Sequence, residues 1–433
     1  MMLRKRIQLG LIHVAVAMTL VPINSTLNRV MIKELAFSAT LVAILASLPY
    51  LFSPIQVAIG SFSDRHPILG YRRTPYIAFG LTLCVLGVIL SPQAAFLMST
   101  NWWRGLLFGV LAFGAWGMGF NFATVSYFSL ASEISGEKGR SRTISIMFFM
   151  MIASIIFTAV ALSRLLEPYS PEVLVNAFQI VAGAALLLGA LGLFRLEDRF
   201  IRQETKLDDR QSFRNLIGVI KANKQVMLFF WYLILLFAAI LGQDVLLEPF
   251  AGEAFQMPVQ TTTRITSIWG TCVLLSLLIA GFMEGRVTKR KVVILGAWGA
   301  VMAFLLIAAS GIIMSLSVFY LGVVLLGLAT GLSTVSNLSL MLDMTIAGNV
   351  GLFIGAWGMA NAFARLTGSV MSGAVRDLVS QLFDNAILGY VIVFNLEALM
   401  LLASLFLLRR IDVSIFKRHA MEATVVERAA IAG

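Results

Sequence analysis

Twelve apolar stretches recur along the 433 residues, at 7–31, 38–60, 75–97, 104–131, 143–165, 173–195, 225–248, 262–283, 292–313, 316–342, 350–374 and 386–408. Each is close to the roughly 20 residues that carry a helix across the hydrocarbon of a bilayer. Hydrophobic residues make up 59% of the chain and charged residues 13%, about half the charged share of a soluble domain. Lipid offers no partner to a free N–H or C=O, so spans must be helices or closed barrels. No alternating ten-residue strand pattern is present. The expectation is an all-α integral membrane protein with twelve transmembrane helices. The opening "MMLRKRIQLGLIHVAVAMTL" has the basic start of a signal peptide, but no small-residue cleavage site follows it, and it is read as a retained first span. Cys84 and Cys272 both fall inside spans, where they pack as small apolar residues.

Charge sets the expected orientation. With the N-terminus inside, the cytoplasmic segments hold 26 Lys and Arg; the outer segments hold six, Arg29, Lys33, Arg104, Arg164, Arg264 and Arg376. This bias puts both termini in the cytoplasm. The net charge of +11 then reports topology, and nucleic acid is not needed to explain it. Trp102 and Trp103 suit an interfacial aromatic belt.

The long polar stretch 196–224 separates six spans from six. The expected organisation is a six-helix bundle at 1–197, a cytoplasmic linker at 198–222, and a second bundle with a short tail at 223–433. An internal repeat supports it. "TVSYFSLASE" (124–133) and "TVSNLSLMLD" (334–343) share five of ten residues, stand 210 apart and end in Glu133 and Asp343. Two pseudo-symmetric halves follow. "GAWG" runs at 114, 296 and 355 fall on non-equivalent spans and are assigned to close helix packing.

Between the second and third spans, "GSFSDRHPILGYRRTPYI" places Gly60, Asp64, Arg65, Gly70, Arg72 and Arg73. This resembles the loop signature of the major facilitator superfamily, stretched in the middle by "HPIL". A degenerate second copy, "GFMEGRVTKRK" (281–291), puts Glu284 where Asp64 stands. A carboxylate in such a turn can cap a helix or pair with arginine and hold one conformation closed.

Two bundles of this kind enclose a cavity, and its distal mouth is where charges gather. "NRVMIKE" (28–34) ends the first span and "QDVLLEP" (243–249) ends the seventh. Aligned, Asn28 matches Gln243, Arg29 matches Asp244 and Lys33 matches Glu248, giving charges of opposite sign at i and i+4 in the two halves. One expectation is an ion-pair clasp, Arg29 to Asp244 and Lys33 to Glu248, that shuts the outer mouth. The competing reading leaves them facing interfacial water, Lys33 and Glu248 nearest the surface, and Arg264 is a rival partner for Asp244. Deeper in the membrane, Arg365 and Glu397 are expected to pair, because a lone charge there is costly, with a substrate or pigment role in the cavity as the other reading. His13, Asn24, Asn28, Gln56, Asn121, Gln243, Asn337, Asn361 and Asn395 complete the polar set. Each is read either as lining the cavity or as an interhelical hydrogen bonder.

"LNRVMIKEL", "SDRHPILGYRRTPYI" and above all "GQDVLLEPFAGEAFQMPVQTTTRITSIWG" are similar to the PucC/LhaA family, the bacteriochlorophyll-delivery branch of the major facilitators. The resemblance implies a factor that assembles antenna or other pigment–protein complexes, with antenna or photosystem polypeptides as partners and chlorophyll or bacteriochlorophyll as cargo. It places the protein in the thylakoid, intracytoplasmic or plasma membrane of a phototroph. A tetrapyrrole magnesium needs one axial ligand, and His13 is the sole histidine within a span, though an isolated one more often hydrogen-bonds between helices. Two further readings stand beside it: a proton-coupled transporter of a small amphipathic solute, with Asp244, Glu133 or Glu397 titrating, and a scaffold that transports nothing. No phosphate-binding glycine loop, metal cluster or nucleophile–histidine set marks an enzyme.

Overall fold

A computed structural model describes residues 2–199, 224–283, 286–343 and 350–411. Glu284, His419 and the expected linker from residue 200 to 222 lie outside the described residues, as does the side chain of Asp343. Every regular element described is helical. The helices are α1 (Leu3–Glu34), α3 (Thr74–Thr100), α4 (Trp102–Gly136), α5 (Arg142–Leu165) and α6 (Pro171–Leu193), with a segmented α2 built from Ala39–Ala46, Leu48–Leu51 and Ile55–Arg65. In the second half, α7 comprises Lys224–Gly242, Gln243–Val245 and Leu247–Phe255. There follow α8 (Val259–Met283), α9 (Lys289–Ile313), α10 (Leu316–Asp343), α11 (Val350–Phe383) and α12 (Ala386–Arg409). Ten of the twelve are long and apolar enough to cross a bilayer. The remaining two, α2 and α11, are the one broken by prolines and the one carrying Arg365, Arg376 and Asp377. Twelve crossings return the chain to its starting side; the opposite end is called distal below.

Prolines decide where the helices break. A proline ring collides with the carbonyl four residues back and supplies no N–H to it. The regular part of α1 stops at Met18, four before Pro22, and continues as wide turns over Pro22–Leu27 and Val30–Glu34. In the second half, α7 loses its α-helical course at Gln243–Val245 and resumes at Leu247, with Val245 four before Pro249. The first helix of each half is therefore irregular near its distal end. Pro49 and Pro54 interrupt α2 in the same way. Pro92 does not interrupt α3: the hydroxyl of Ser91 donates to the Val88 carbonyl that the proline leaves free (3.0 Å), a repair that membrane helices use widely.

The halves repeat their packing. α3 packs on α4 as α9 packs on α10; α3 meets α6 as α9 meets α12, and α1 meets α6 as α7 meets α12. Across the interface α5 meets α8, with Ile156 against Gly270, and α2 meets α11.

Glycine allows the closest approaches. A Cβ on Gly80 would sit 2.7 Å from the Gly119 carbonyl oxygen, and one on Gly119 would sit 2.5 Å from the Gly80 carbonyl oxygen. The backbones of α3 and α4 touch there, and neither can retreat without parting the helices. G80A/G119A is expected to destabilise the protein by about 1–3 kcal/mol, the usual range for overpacking. The melting temperature of the purified protein checks this, and an unchanged value would sink it. The "GAWG" runs divide. Gly117 lies on the backbone of Pro49 and Gly296 on Ser333, as expected, whereas a Cβ on Gly114 or Gly358 would meet nothing within 4 Å.

Candidate functional site

The distal ends of α1 and α7 do meet, but not through the expected pairs. Arg29, only 1% exposed, pairs with Glu34 of its own helix, and its Nη2 donates to the Met257 carbonyl (2.8 Å). Its distance from the clasp has a local cause: in a wide helical turn residues i and i+5 share a face, so Glu34 takes the guanidinium. Lys33 Nζ donates to the carbonyl of Gly252 (2.5 Å) and to Gln256 Oε1 (3.2 Å), not to Glu248. Glu248 is buried, and its Oε1 accepts from Ser25 (2.5 Å) and Thr266 (2.6 Å), while its Oε2 has no partner. Arg264 donates to Ser163 (2.9 Å) and lies 3.8 Å from Glu167, away from Asp244. The two first helices are thus joined by hydroxyls and carbonyls where the sequence suggested ion pairs.

Asp244 finds a partner inside its own half. Its Oδ2 accepts from Arg365 Nη1 on α11 (2.7 Å) and its Oδ1 from Gln243 Nε2 (2.8 Å). The Arg365 guanidinium lies 5.2 Å from the ring of Tyr50 on α2. The expected Arg365–Glu397 pair is absent: Glu397 is fully buried, accepts from Ser372 (2.9 Å), and leaves Oε2 unpartnered. The break ahead of Pro249 swings Asp244 onto the face toward α11, a turn that matching one helix to another in sequence cannot reveal. Arg365 and Asp244 keep 26% and 21% of their side-chain surface accessible although they lie within the bundle. A space therefore opens between the halves at this level.

Several polar residues instead serve helix packing. Asn121 donates to the carbonyls of Pro49 (2.9 Å) and Gly117 (2.7 Å) and accepts from Gln56 (2.5 Å), bracing the kink of α2 against α4. Asn337 accepts from the Tyr232 hydroxyl (2.7 Å) and donates to Ser333, tying α10 to α7. Asn28 is buried and donates to the Asn24 carbonyl (2.9 Å). Asn395 is exposed on α12 and donates to the Val391 carbonyl. The turn carrying Asn24 meets the segment carrying Gln243, and Asn361 is half-buried on α11; Gln243 Oε1 and Asn361 Nδ2 are buried without a partner. His13 is buried among the rings of Tyr127, Phe128 and Phe148, with centroids 5.1–5.5 Å away. A planar macrocycle has no approach to that imidazole in this conformation.

The distal seam has further stitches, among them Thr26 to Thr263 (3.1 Å) and Ser163 to the Gln260 carbonyl (2.7 Å). The strongest was not singled out from sequence. Asp377 on α11 accepts from the backbone N–H of Ala39 (2.9 Å) and Thr40 (2.8 Å) and from the Thr40 hydroxyl (2.6 Å), so it caps the first turn of α2 from the other half. Asp377 in turn is held by Arg376, which pairs with Glu253 (2.8 Å). A charged cap of this kind is worth about 1–2 kcal/mol. Asp377→Ala is expected to raise the population open at the distal end by a factor of 5–30. Labelling of a reporter cysteine at Thr263 by an impermeant thiol reagent from that side measures it; an unchanged rate would refute the latch.

At the other end, the loop signature forms a hub. Asp64 accepts from Arg72 (2.9 Å) and Arg73 (2.5 Å); Arg73 also donates to Glu133 (2.9 and 3.0 Å) and Ser63 (2.6 Å). Arg65 projects outward. The "HPIL" insertion closes as a tight turn, Ile68 and Tyr71 exchanging backbone bonds while Leu69 and Gly70 take positive φ (54° and 81°). The extra residues loop out and leave the Asp64–Arg73 contact intact. Glu197, at the end of the first half, accepts from the backbone N–H of Arg72, Arg73 and Thr74 (2.6–3.2 Å), capping α3. Its place directly after an apolar span was the available signal.

These features agree with a solved fold. The structure superposes on the nucleoside transporter NupG with a TM-score of 0.70 at 16% identity, covering 94% of this chain and 98% of that one. The protein is a multi-pass membrane protein of the major-facilitator fold. The family model described as PUCC protein matches residues 26–416, and the chain belongs to that family. Protein PucC of Cereibacter sphaeroides is 30% identical over 92% of this chain and 89% of its own length. A Rhodobacter capsulatus protein named Bacteriochlorophyll synthase 44.5 kDa chain is 27% identical over 92% of each.

Proposed function

We propose that this protein is an assembly factor for antenna or other pigment–protein complexes, which binds or hands over a chlorophyll- or bacteriochlorophyll-type pigment and catalyses no reaction itself. The observation that carries the reading is family membership across 26–416, beside similarity to a relative whose name contains bacteriochlorophyll. The geometry supports it. A largely apolar interior presents the Asp244–Arg365 pair and the Tyr50 ring to the space between the halves. Donors this sparse suit a large apolar molecule bearing a few carbonyl oxygens. With the termini cytoplasmic, the orientation that the distribution of basic residues supports, the stitched distal end faces away from the cytoplasm and loading occurs from the cytoplasmic side or from lipid. The host membrane is the thylakoid, intracytoplasmic or plasma membrane of a phototroph, and the protein partners are antenna or photosystem polypeptides.

Purification from phototroph membranes in mild detergent tests the reading. The expected result is a red absorption band that co-elutes with the protein, together with nascent antenna polypeptides. Colourless protein without antenna polypeptides would overturn it. One observation favours a second reading: Glu248 and Glu397 are buried carboxyls with an unpartnered oxygen each, as a proton-coupled carrier requires. Reconstituted vesicles showing pH-driven solute flux without pigment would establish that reading instead.

A further inference from the structure

The second "GAWG" run takes part in something the repeat does not. Trp116, in the first run, is fully buried and donates to Thr19 (3.2 Å). Trp298, in the second, is 47% exposed and walls a groove of about 250 Å³ between α9 and α12, together with Ile294, Leu402 and Phe406. Arg290 and Arg409 close the end of the groove nearest the termini. Arg290 is fixed by donating to the carbonyls of Leu408 (3.1 Å) and Arg409 (3.3 Å), where it caps the last turn of α12. Arg410 lies 4.6 Å over the Phe406 ring. Among the described residues no carboxylate pairs with Arg290, Arg409 or Arg410.

We propose that this groove is a binding site for an anionic phospholipid of the surrounding bilayer, its phosphate held by Arg409, Arg410 and the free edge of Arg290, and its first acyl segment lying along Trp298 and Phe406. Two features identify the occupant. The slot opens on a face whose neighbours, Leu295, Met302 and Leu399, are exposed apolar residues turned to lipid. Two guanidinium groups, Arg290 and Arg409, line its mouth, and a third, Arg410, lies over the lining ring of Phe406, all at the end of α12 where its apolar span stops. A ligand that satisfies both must be hydrocarbon at one end and anionic at the other, and arginine is the side chain best shaped for phosphate. Basic pockets between helices on the cytoplasmic side are suited to acidic headgroups. A soluble anion would leave the apolar wall uncovered, and a zwitterionic lipid would bring no net charge to the arginines.

The test uses the full chain in phosphatidylcholine vesicles to which either dibrominated phosphatidylglycerol or dibrominated phosphatidylcholine is added. Quenching of Trp298 is obtained as the difference between the native protein and W298F. Phosphatidylglycerol is expected to quench Trp298 at several-fold lower fraction than phosphatidylcholine. In R409Q/R410Q, which leaves the Arg290 cap in place, that preference is expected to disappear, since each arginine near the surface is worth about fivefold. Native mass spectrometry of the same proteins gives a second reading, with phosphatidylglycerol retained by the native chain and lost from the variant. Equal quenching by the two lipids, or a preference that survives R409Q/R410Q, would overturn the assignment.

Discussion

Reversing Asp244 alone (D244R) or Arg365 alone (R365D) is expected to cost about 3 kcal/mol of stability, and the double reversal D244R/R365D to recover most of it. Removing one member of a buried pair strands the other charge where water is scarce, and that penalty runs to about 3–5 kcal/mol. The lower end applies because both side chains keep about a quarter of their surface accessible. Glu397, on the neighbouring helix, accepts from Ser372 and makes no ion pair with Arg365. The same experiment separates the observed pairing from the one that helix matching suggested. R29D/D244R should be no healthier than either single reversal, since Arg29 is engaged by Glu34 and the Met257 carbonyl. A melting-temperature cycle on the purified proteins measures both couplings. A rescue by R29D/D244R that exceeded the rescue by D244R/R365D would show that the clasp, not the intra-half pair, governs the site.

The fold was readable because lipid allows so few solutions. Apolar length alone located the spans, and the alignment of 124–133 with 334–343 agrees with the shared packing of α3 on α4 and α9 on α10. The pairings were not readable, for a reason that can be stated residue by residue. Matching Arg29 to Asp244 assumes that α1 and α7 are regular helices, so that i and i+4 face one way. Pro22 and Pro249 break that assumption: the wide turns of α1 bring Glu34 to Arg29, and the break in α7 turns Asp244 toward α11. Both prolines were visible, and their consequence for side-chain direction was the missing step. Asp377 and Glu197 escaped notice for a different reason. They act on backbone N–H groups of another helix's first turn, and a helix terminus has no sequence signature of who will cap it across a fold. Ion pairs invite a search for opposite charges, whereas caps from afar leave only a lone acid at the end of a span.

Replacing Arg73 by lysine is expected to be nearly as damaging as replacing it by glutamine, about 2–3 kcal/mol in each case, although lysine keeps the charge. Arg73 spreads its three nitrogens over two other helices: Nε and Nη2 reach Glu133 on α4, while Nη2 also reaches Asp64 and Nη1 reaches Ser63 at the end of α2. An ammonium is a single point and cannot hold a planar fork of this kind. The guanidinium is buried while Glu133 keeps 42% of its side-chain surface accessible, so water compensates Glu133 on loss of the arginine better than Asp64 and Ser63, which places the expected cost below that of a fully buried pair. Arg65, two positions from Ser63 yet directed outward, supplies the control, and R65Q should leave the melting temperature unchanged. Because the hub joins the ends of α2, α3 and α4, its loss should also free the loop it anchors, and limited proteolysis at 66–71 should quicken in R73K and not in R65Q. If R73K melts and resists cleavage like the native protein, charge alone holds these helix ends together and the forked geometry is incidental.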